Sequence, residues 1–258
     1  MTILLSATNM GKLFGMRPVL RGVSLEIARG EFVAILGANG AGKTTLLRIL
    51  ATLARPSAGT LTIAAVDALA HPNRARALIG LVSHQSLIYP DLTARENLEF
   101  YRRMYGAGER KPGGADANRH PGSRDRRAGQ REQGDELQPL VEDALRRVGL
   151  WNRRDDLART FSRGMIQRLT IARAILHDPL LLLLDEPFTG LDQASAAGLS
   201  ALLREAAVRD RAVVMTTHEL GRGLEGVTRA LILRGGQITH ELRHDITTDA
   251  LIALMTQA

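Results

Sequence analysis

The sequence predicts an α/β fold, a sheet covered on both faces by helices, and three observations carry that expectation. Apolar runs of strand length at 32–36, 180–184 and 212–215 alternate with stretches of helical periodicity, the pattern of buried strands joined by helices. A glycine-rich loop, Gly37-Ala38-Asn39-Gly40-Ala41-Gly42-Lys43-Thr44-Thr45, lies between one such strand and the helical run 46–53. Two acids, Asp185 and Glu186, end a second apolar strand.

Residues 1–30 alternate in strand fashion, with strands expected at 19–20 and 23–27 ahead of the Arg29-Gly30 turn. Phe14 upstream reads by itself as a core residue, the alternative being a platform on which an adenine stacks. Pro56-Ser57-Ala58-Gly59 marks a turn after the first helix, and 61–63 and 78–82 read as strands, the second running into Ser83-His84-Gln85. Thr93 and Glu96 form a capping box opening a helix through Leu98 and Tyr101 toward Tyr105. Residues 106–136 are rich in Gly, Arg, Asp and Pro and poor in large apolar groups; burial cannot offset their ordering entropy, so a disordered insertion or loose surface loop is expected there. Leu140, Val141, Ala144, Leu145 and Val148 resume a helical stripe that Gly149 ends. Phe161-Ser162-Arg163-Gly164-Met165 opens another helix, with Ile166, Leu169, Ala172 and Ile175 on its inner side. A helix at 195–208, the strand ending in Thr216-Thr217-His218, a hairpin of 230–233 with 237–240, and a short final helix complete the chain.

Composition narrows the function. With 258 residues, 45% apolar and 24% charged, the chain can bury a sizeable core, as one large domain or as a core plus a subdomain. It has no cysteine, which excludes disulfides, thiolate metal sites and cysteine nucleophiles. No window approaches the roughly 20 apolar residues of a membrane span, and no signal peptide is visible. The net charge of +7 invites a nucleic-acid reading, but the charge is scattered arginine, the lysines being Lys12, Lys43 and Lys111. Aromatics at 3% leave little for base stacking, so no nucleic-acid partner is expected.

The glycine-rich loop fits G-x-x-x-x-G-K-[ST] in its required strand–turn–helix context. Glycines at Gly37, Gly40 and Gly42 let backbone N–H groups, with those of Asn39, Ala41 and Thr45, curl around a phosphate chain at the positive end of a helix. Lys43 is expected against the β- and γ-phosphates and the Thr44 hydroxyl on Mg²⁺, so the chain binds a nucleoside triphosphate. Asp185 stands where a second Mg²⁺-binding carboxylate belongs, and Glu186 is positioned to take a proton from an attacking water.

The order of the phosphate loop, Gln85, Phe161-Ser162-Arg163-Gly164-Met165-Ile166-Gln167-Arg168, Leu184-Asp185-Glu186-Pro187, Thr189-Gly190-Leu191-Asp192 and His218 resembles an ATP-binding-cassette (ABC) ATPase over nearly the whole chain. The resemblance implies a P-loop NTPase (RecA-like) core with an N-terminal antiparallel β subdomain and an inserted α-helical subdomain, the core formed by 1–85 and 166–258 and the helical part by 86–165. It implies ATP and Mg²⁺ as ligands, with the metal at Thr44, Gln85 and Asp185. It makes Glu186, His218 and Gln85 catalytic, sets Phe14 against adenine, and assigns Ser162, Arg163, Gly164 and Met165 to a signature that completes the opposite subunit's ATP site, with Asp192 as a dimer contact. Arg163 and Met165 stand where the family has a glycine and a glutamine. The implied partners are a second cassette, identical or related, and a separate transmembrane permease subunit at the cytoplasmic face of the membrane. Ser162-Arg163-Gly164-Met165 and Gln193 after Asp192 are most similar to the ATPase of the haem exporter of cytochrome c maturation; other exporters, of drugs, polysaccharides or lipids, share most of these residues.

Overall fold

The computed structural model describes residues 2–107, 128–208, 210–219, 223–244 and 246–256, which fall into two compact units, 1–87 with 178–258 and 88–177.

The first unit holds two sheets. Strands β1 (Ile3–Phe14) and β2 (Arg17–Ala28) pair antiparallel, and β4 (Ala58–Ile63) and the short β5 (Val66–Asp67) extend them in the order β2-β1-β4-β5. The second sheet is built on β3 (Phe32–Leu36), β6 (Ile79–Val82), β7 (Leu181–Asp185), β8 (Ala212–Thr217), β9 (Arg229–Arg234) and β10 (Gln237–Leu242). Its order is β10-β9-β3-β8-β7-β6, parallel except for the β9–β10 hairpin. Every residue of β3, β7 and β8 is buried, as continuous apolar runs require when both faces are covered. Helix α1 (Lys43–Leu50) contributes Leu46, Leu47 and Leu50 to a core shared with Leu5, Ile27 and Leu61 of the antiparallel sheet and with Val33, Leu183 and Val214 of the parallel one. Helix α6 (Gln193–Val208) packs on β3 and β8. A short α2 (Pro72–Arg76) and the last helix, α7 (Thr248–Thr256), complete this unit.

The second unit is helical: α3 (Ala94–Ala107), α4 (Ala128–Arg147) and α5 (Arg163–Ile175) pack together, with single 3₁₀ turns at Trp151–Arg153 and Ala158–Thr160. The capping box forms as expected: the Thr93 N–H donates to Glu96 Oε2 at 2.8 Å, and the Glu96 N–H donates to Thr93 Oγ1 at 3.1 Å. Hydrogen bonds from the Thr93 N–H and then the Thr93 side chain hold the Glu96 carboxyl below its usual range.

Several features depart from the sequence expectation. β5 and α2 went unseen because neither is long enough to show a period. The insertion expected at 106–136 lies mainly outside the described residues, but 128–136 belong to α4. That stretch lacks large apolar residues yet carries Ala, Gln, Glu and Arg, good helix formers. Leu140, assigned to the inner stripe, is 43% exposed, whereas Val141, Ala144, Leu145 and Val148 are buried. The helix α5, which the sequence boundary at 165/166 gives to the core, lies in the second unit because its packing partners are α3 and α4.

Candidate active site

The turn from β3 into α1 needs glycine at Gly37, where a Cβ would stand 2.3 Å from the Leu233 carbonyl oxygen of the neighbouring strand β9. Ala38, Asn39 and Gly40 form the exposed crest of the loop, while Gly42 caps α1 by backbone alone, leaving the helix's first N–H groups available to an anion.

Lys43 is 5% exposed and folds back on its own loop, donating to the carbonyls of Gly37 at 2.8 Å and Ala38 at 3.2 Å. Burial pulls its pKa below the ordinary lysine value, against the opposing influence of Glu186 and then Asp185. A buried cation that, among the described residues, is held by carbonyls and a carboxylate 4.0 Å away at Glu186 suits a site built to receive more negative charge.

The register of β7 with β8 pairs Asp185 with Thr216. Asp185 Oδ1 accepts from Thr216 Oγ1 at 2.6 Å and from Thr44 Oγ1 at 3.1 Å, so a hydroxyl and a carboxylate that the chain separates by 141 residues meet. Hydroxyl plus carboxylate oxygen is the donor set a hard, water-retaining cation accepts. Among the described residues no group of three or more His, Asp or Glu could hold a metal by itself, so such an ion would take its remaining ligands from phosphate and water.

Immediately after β7 the backbone turns into the left-handed region at Glu186, φ +49°. That turn, which costs on the order of 1–3 kcal/mol for a residue other than glycine, swings the side chain toward His218, whose Nδ1 lies 2.9 Å from Glu186 Oε1. Lys43, Thr44, Asp185, Glu186 and His218 therefore converge on one site, where β3, β7 and β8 end.

The other expected residues sit as follows. Phe14 is 57% exposed, with Lys12 Nζ 5.1 Å from its ring centroid, so the core reading of this residue does not hold. Gln85 is exposed beyond β6, with Ser83 Oγ donating to its carbonyl oxygen, and among the described residues no hydrogen bond joins its side chain to Thr44 or Asp185. Ser162 is the N-cap of α5, accepting from the Met165 N–H at 3.3 Å; it and Arg163 are exposed, while Gly164 and Met165 begin the helix. Asp192 is exposed and caps α6 by accepting from the Ser195 N–H at 2.7 Å. Sequence reasoning missed Thr216. Its only trace there was a hydroxyl interrupting an apolar strand two residues before His218.

Residues 20–189 match the family model for the ABC transporter. The chain belongs to this family. The cassette is 32% identical to the ABC transporter ATP-binding protein NatA of Bacillus subtilis, over 86% of this chain and 80% of that protein. It is 32% identical to the Nod factor export ATP-binding protein I of Ralstonia nicotianae, over 99% of this chain and 76% of that one. It is 31% identical to the arginine transport ATP-binding protein ArtM of Bacillus subtilis, over 92% and 90%. Among solved structures, an ATP-binding subunit of an ABC transporter superposes with a TM-score of 0.79 at 25% identity, covering 98% of this chain and all of that one. A dimeric cassette in a post-hydrolysis state, bound to ADP and Pi, gives 0.74 at 25% identity, covering 93% and 98%. The cassette is an ATP-binding subunit and an ATPase, with an α/β core of mostly parallel strands beside an antiparallel β sheet. Among its described residues no helix is long and apolar enough to cross a membrane.

Proposed function

We propose that the cassette hydrolyses Mg²⁺-ATP as a dimer and drives a separate membrane subunit. The observation carrying this reading is the convergence of Thr44 with Asp185 at 3.1 Å, His218 with Glu186 at 2.9 Å and Lys43 4.0 Å from Glu186. The loop amides and Lys43 bind the phosphate chain, Lys43 exchanging its own carbonyl partners for phosphate oxygens. Thr44 and Asp185 would hold Mg²⁺, which would supply neutralisation of phosphoryl charge when bound. Glu186 accepts the proton of the attacking water, and His218 orients Glu186 through Nδ1 while facing the γ-phosphate. Gln85 would reach the metal and report nucleotide state, and Phe14 would stack the adenine.

Ser162, Arg163, Gly164 and Met165 serve the nucleotide of the other cassette. An exposed serine at the start of a 13-residue helix is useful to an anion only when a second molecule brings one. Asp192 contacts the facing phosphate loop. The exposed Tyr89, Phe100 and Met104, the two rings 5.0 Å apart, give the helical unit an apolar patch for a helix of the membrane subunit, which keeps the cassette on the cytoplasmic face.

For the cargo, export is the broader reading. Haem export is the narrower one, and rests on Ser162-Arg163-Gly164-Met165 and Gln193; the relatives above are named for Nod factor export and arginine transport among others. Affinity capture of the tagged cassette from detergent-solubilised membranes of the native host, followed by mass spectrometry and a haem absorbance spectrum, tests both. A membrane subunit with haem is expected on the narrower reading and one without haem on the broader. Recovery of nucleic acid alone overturns both.

A further inference from the structure

Thr216 is fully buried near the end of β8 and bonds both Asp185, the last residue of β7, and the backbone of Glu186 just after it. A hydroxyl has one hydrogen, and the 2.6 Å approach to Asp185 Oδ1 assigns that hydrogen to the carboxylate. The Thr216 oxygen is then free to accept, and the Glu186 N–H points at it from 3.1 Å while sharing itself with the Thr216 carbonyl at 3.2 Å. One side chain thus holds the carboxylate of Asp185 and the backbone of Glu186 at the point where φ becomes positive. Asp185 Oδ1 is already shared between Thr216 and Thr44, which fixes the carboxylate's rotation and leaves Oδ2 as the oxygen turned away from both hydroxyls.

We infer that Thr216 is a positioning residue of the ATPase: its hydroxyl locks the metal-side carboxylate and the left-handed turn that aims Glu186 at His218 into one rigid unit. It touches neither phosphate nor water and acts only through Asp185 and Glu186. Valine has the same shape without the donor or acceptor, and leaves Asp185, 8% exposed, one donor short. Outer-shell partners of this kind carry about 10- to 100-fold in metal affinity or activity.

The inference rests on the assignment of Asp185 and Glu186 made above, and the test separates the two. Thr216→Val, Thr216→Ala, Thr216→Ser and Glu186→Gln are compared with the parent by kcat and KM for ATP, by the Mg²⁺ concentration giving half-maximal turnover, and by metal-free binding of a fluorescent ATP analogue. Melting temperatures report folding. Expected for Val and Ala is a kcat lower by about 10- to 100-fold, a raised Mg²⁺ requirement and unaltered metal-free nucleotide binding, with Ser restoring most of the turnover. A folded Val or Ala variant with parental kcat and Mg²⁺ dependence overturns the inference, as does failure of Ser to restore turnover. Folding of Ser alone, with Val and Ala both unfolded, also overturns it by making the hydroxyl a requirement of the fold. If Glu186→Gln retains parental turnover, it is the underlying assignment that fails.

Discussion

Replacing Glu186 by glutamine isolates proton acceptance from everything else the side chain does. The amide keeps the volume and an oxygen that can stay within reach of His218 Nδ1, now 2.9 Å away, but it cannot take a proton from water. A general base contributes about 10²- to 10⁴-fold, or roughly 3 to 5.5 kcal/mol of barrier at 1.36 kcal/mol per tenfold. The competing effect is lost stability. The Lys43–Glu186 pair at 4.0 Å is worth at most about 4 kcal/mol gross at an effective dielectric of about 20. Glu186 is 26% exposed and Lys43 keeps the carbonyls of Gly37 and Ala38, so the net change falls to about 1 kcal/mol. Against a fold stable by about 5–15 kcal/mol that leaves the protein folded, and the rate loss is chemical. Removing the carboxylate also frees Lys43 for phosphate, so ATP is retained and the two-cassette state accumulates. Phosphate release under single turnover, with size exclusion in ATP, is the assay. A variant with the parental melting temperature and turnover within about tenfold of the parent would refute the base assignment.

Two further outcomes test how the framework supports the site. Gly236→Ala places a Cβ 2.3 Å from the Val19 carbonyl oxygen at φ +81°, in a hairpin whose Gly236 N–H donates to Ala41 of the phosphate loop at 3.2 Å; a loss of about 1–3 kcal/mol by urea unfolding, with weaker nucleotide binding, is expected, and an unchanged midpoint would mean the hairpin moves freely. Arg229→Met removes a buried guanidinium that donates to Glu241 Oε2 at 2.8 Å and to the Glu26 carbonyl at 2.6 Å and lies 3.7 Å from Glu31, so urea unfolding should show about 3 kcal/mol lost. Burial alone pushes the Glu241 carboxyl up, but hydrogen bonds from Arg229 and Arg243 outweigh it and hold it below its usual value. A depressed carboxyl stabilises the fold above its unfolded value of 4.5 and loses that contribution as pH falls through the folded value, so acid should destabilise the parent more steeply below pH 4.5 than the variant. Equal acid slopes would remove Arg229 from that role.

The sequence by itself determined what local rules govern. The buried strands at β3, β7 and β8 were legible as apolar runs, because a strand covered on both faces favours apolar side chains until its end reaches the site. The phosphate loop, the Thr93–Glu96 capping box and the Ser162 cap were legible because each closes its bonds within a few residues. Tertiary structure alone decided what those pieces do to one another. Asp185, Thr216 and Thr44 meet through strand register across 31 and 141 residues, which no local pattern encodes. Lys43 rests on its own loop carbonyls, and Glu186 reaches His218 only through a backbone turn that its side chain does not announce. Sequence could name nearly every group in the site because chemistry restricts residue type. It could not hand one hydroxyl to two acids, because that depends on which strands lie side by side.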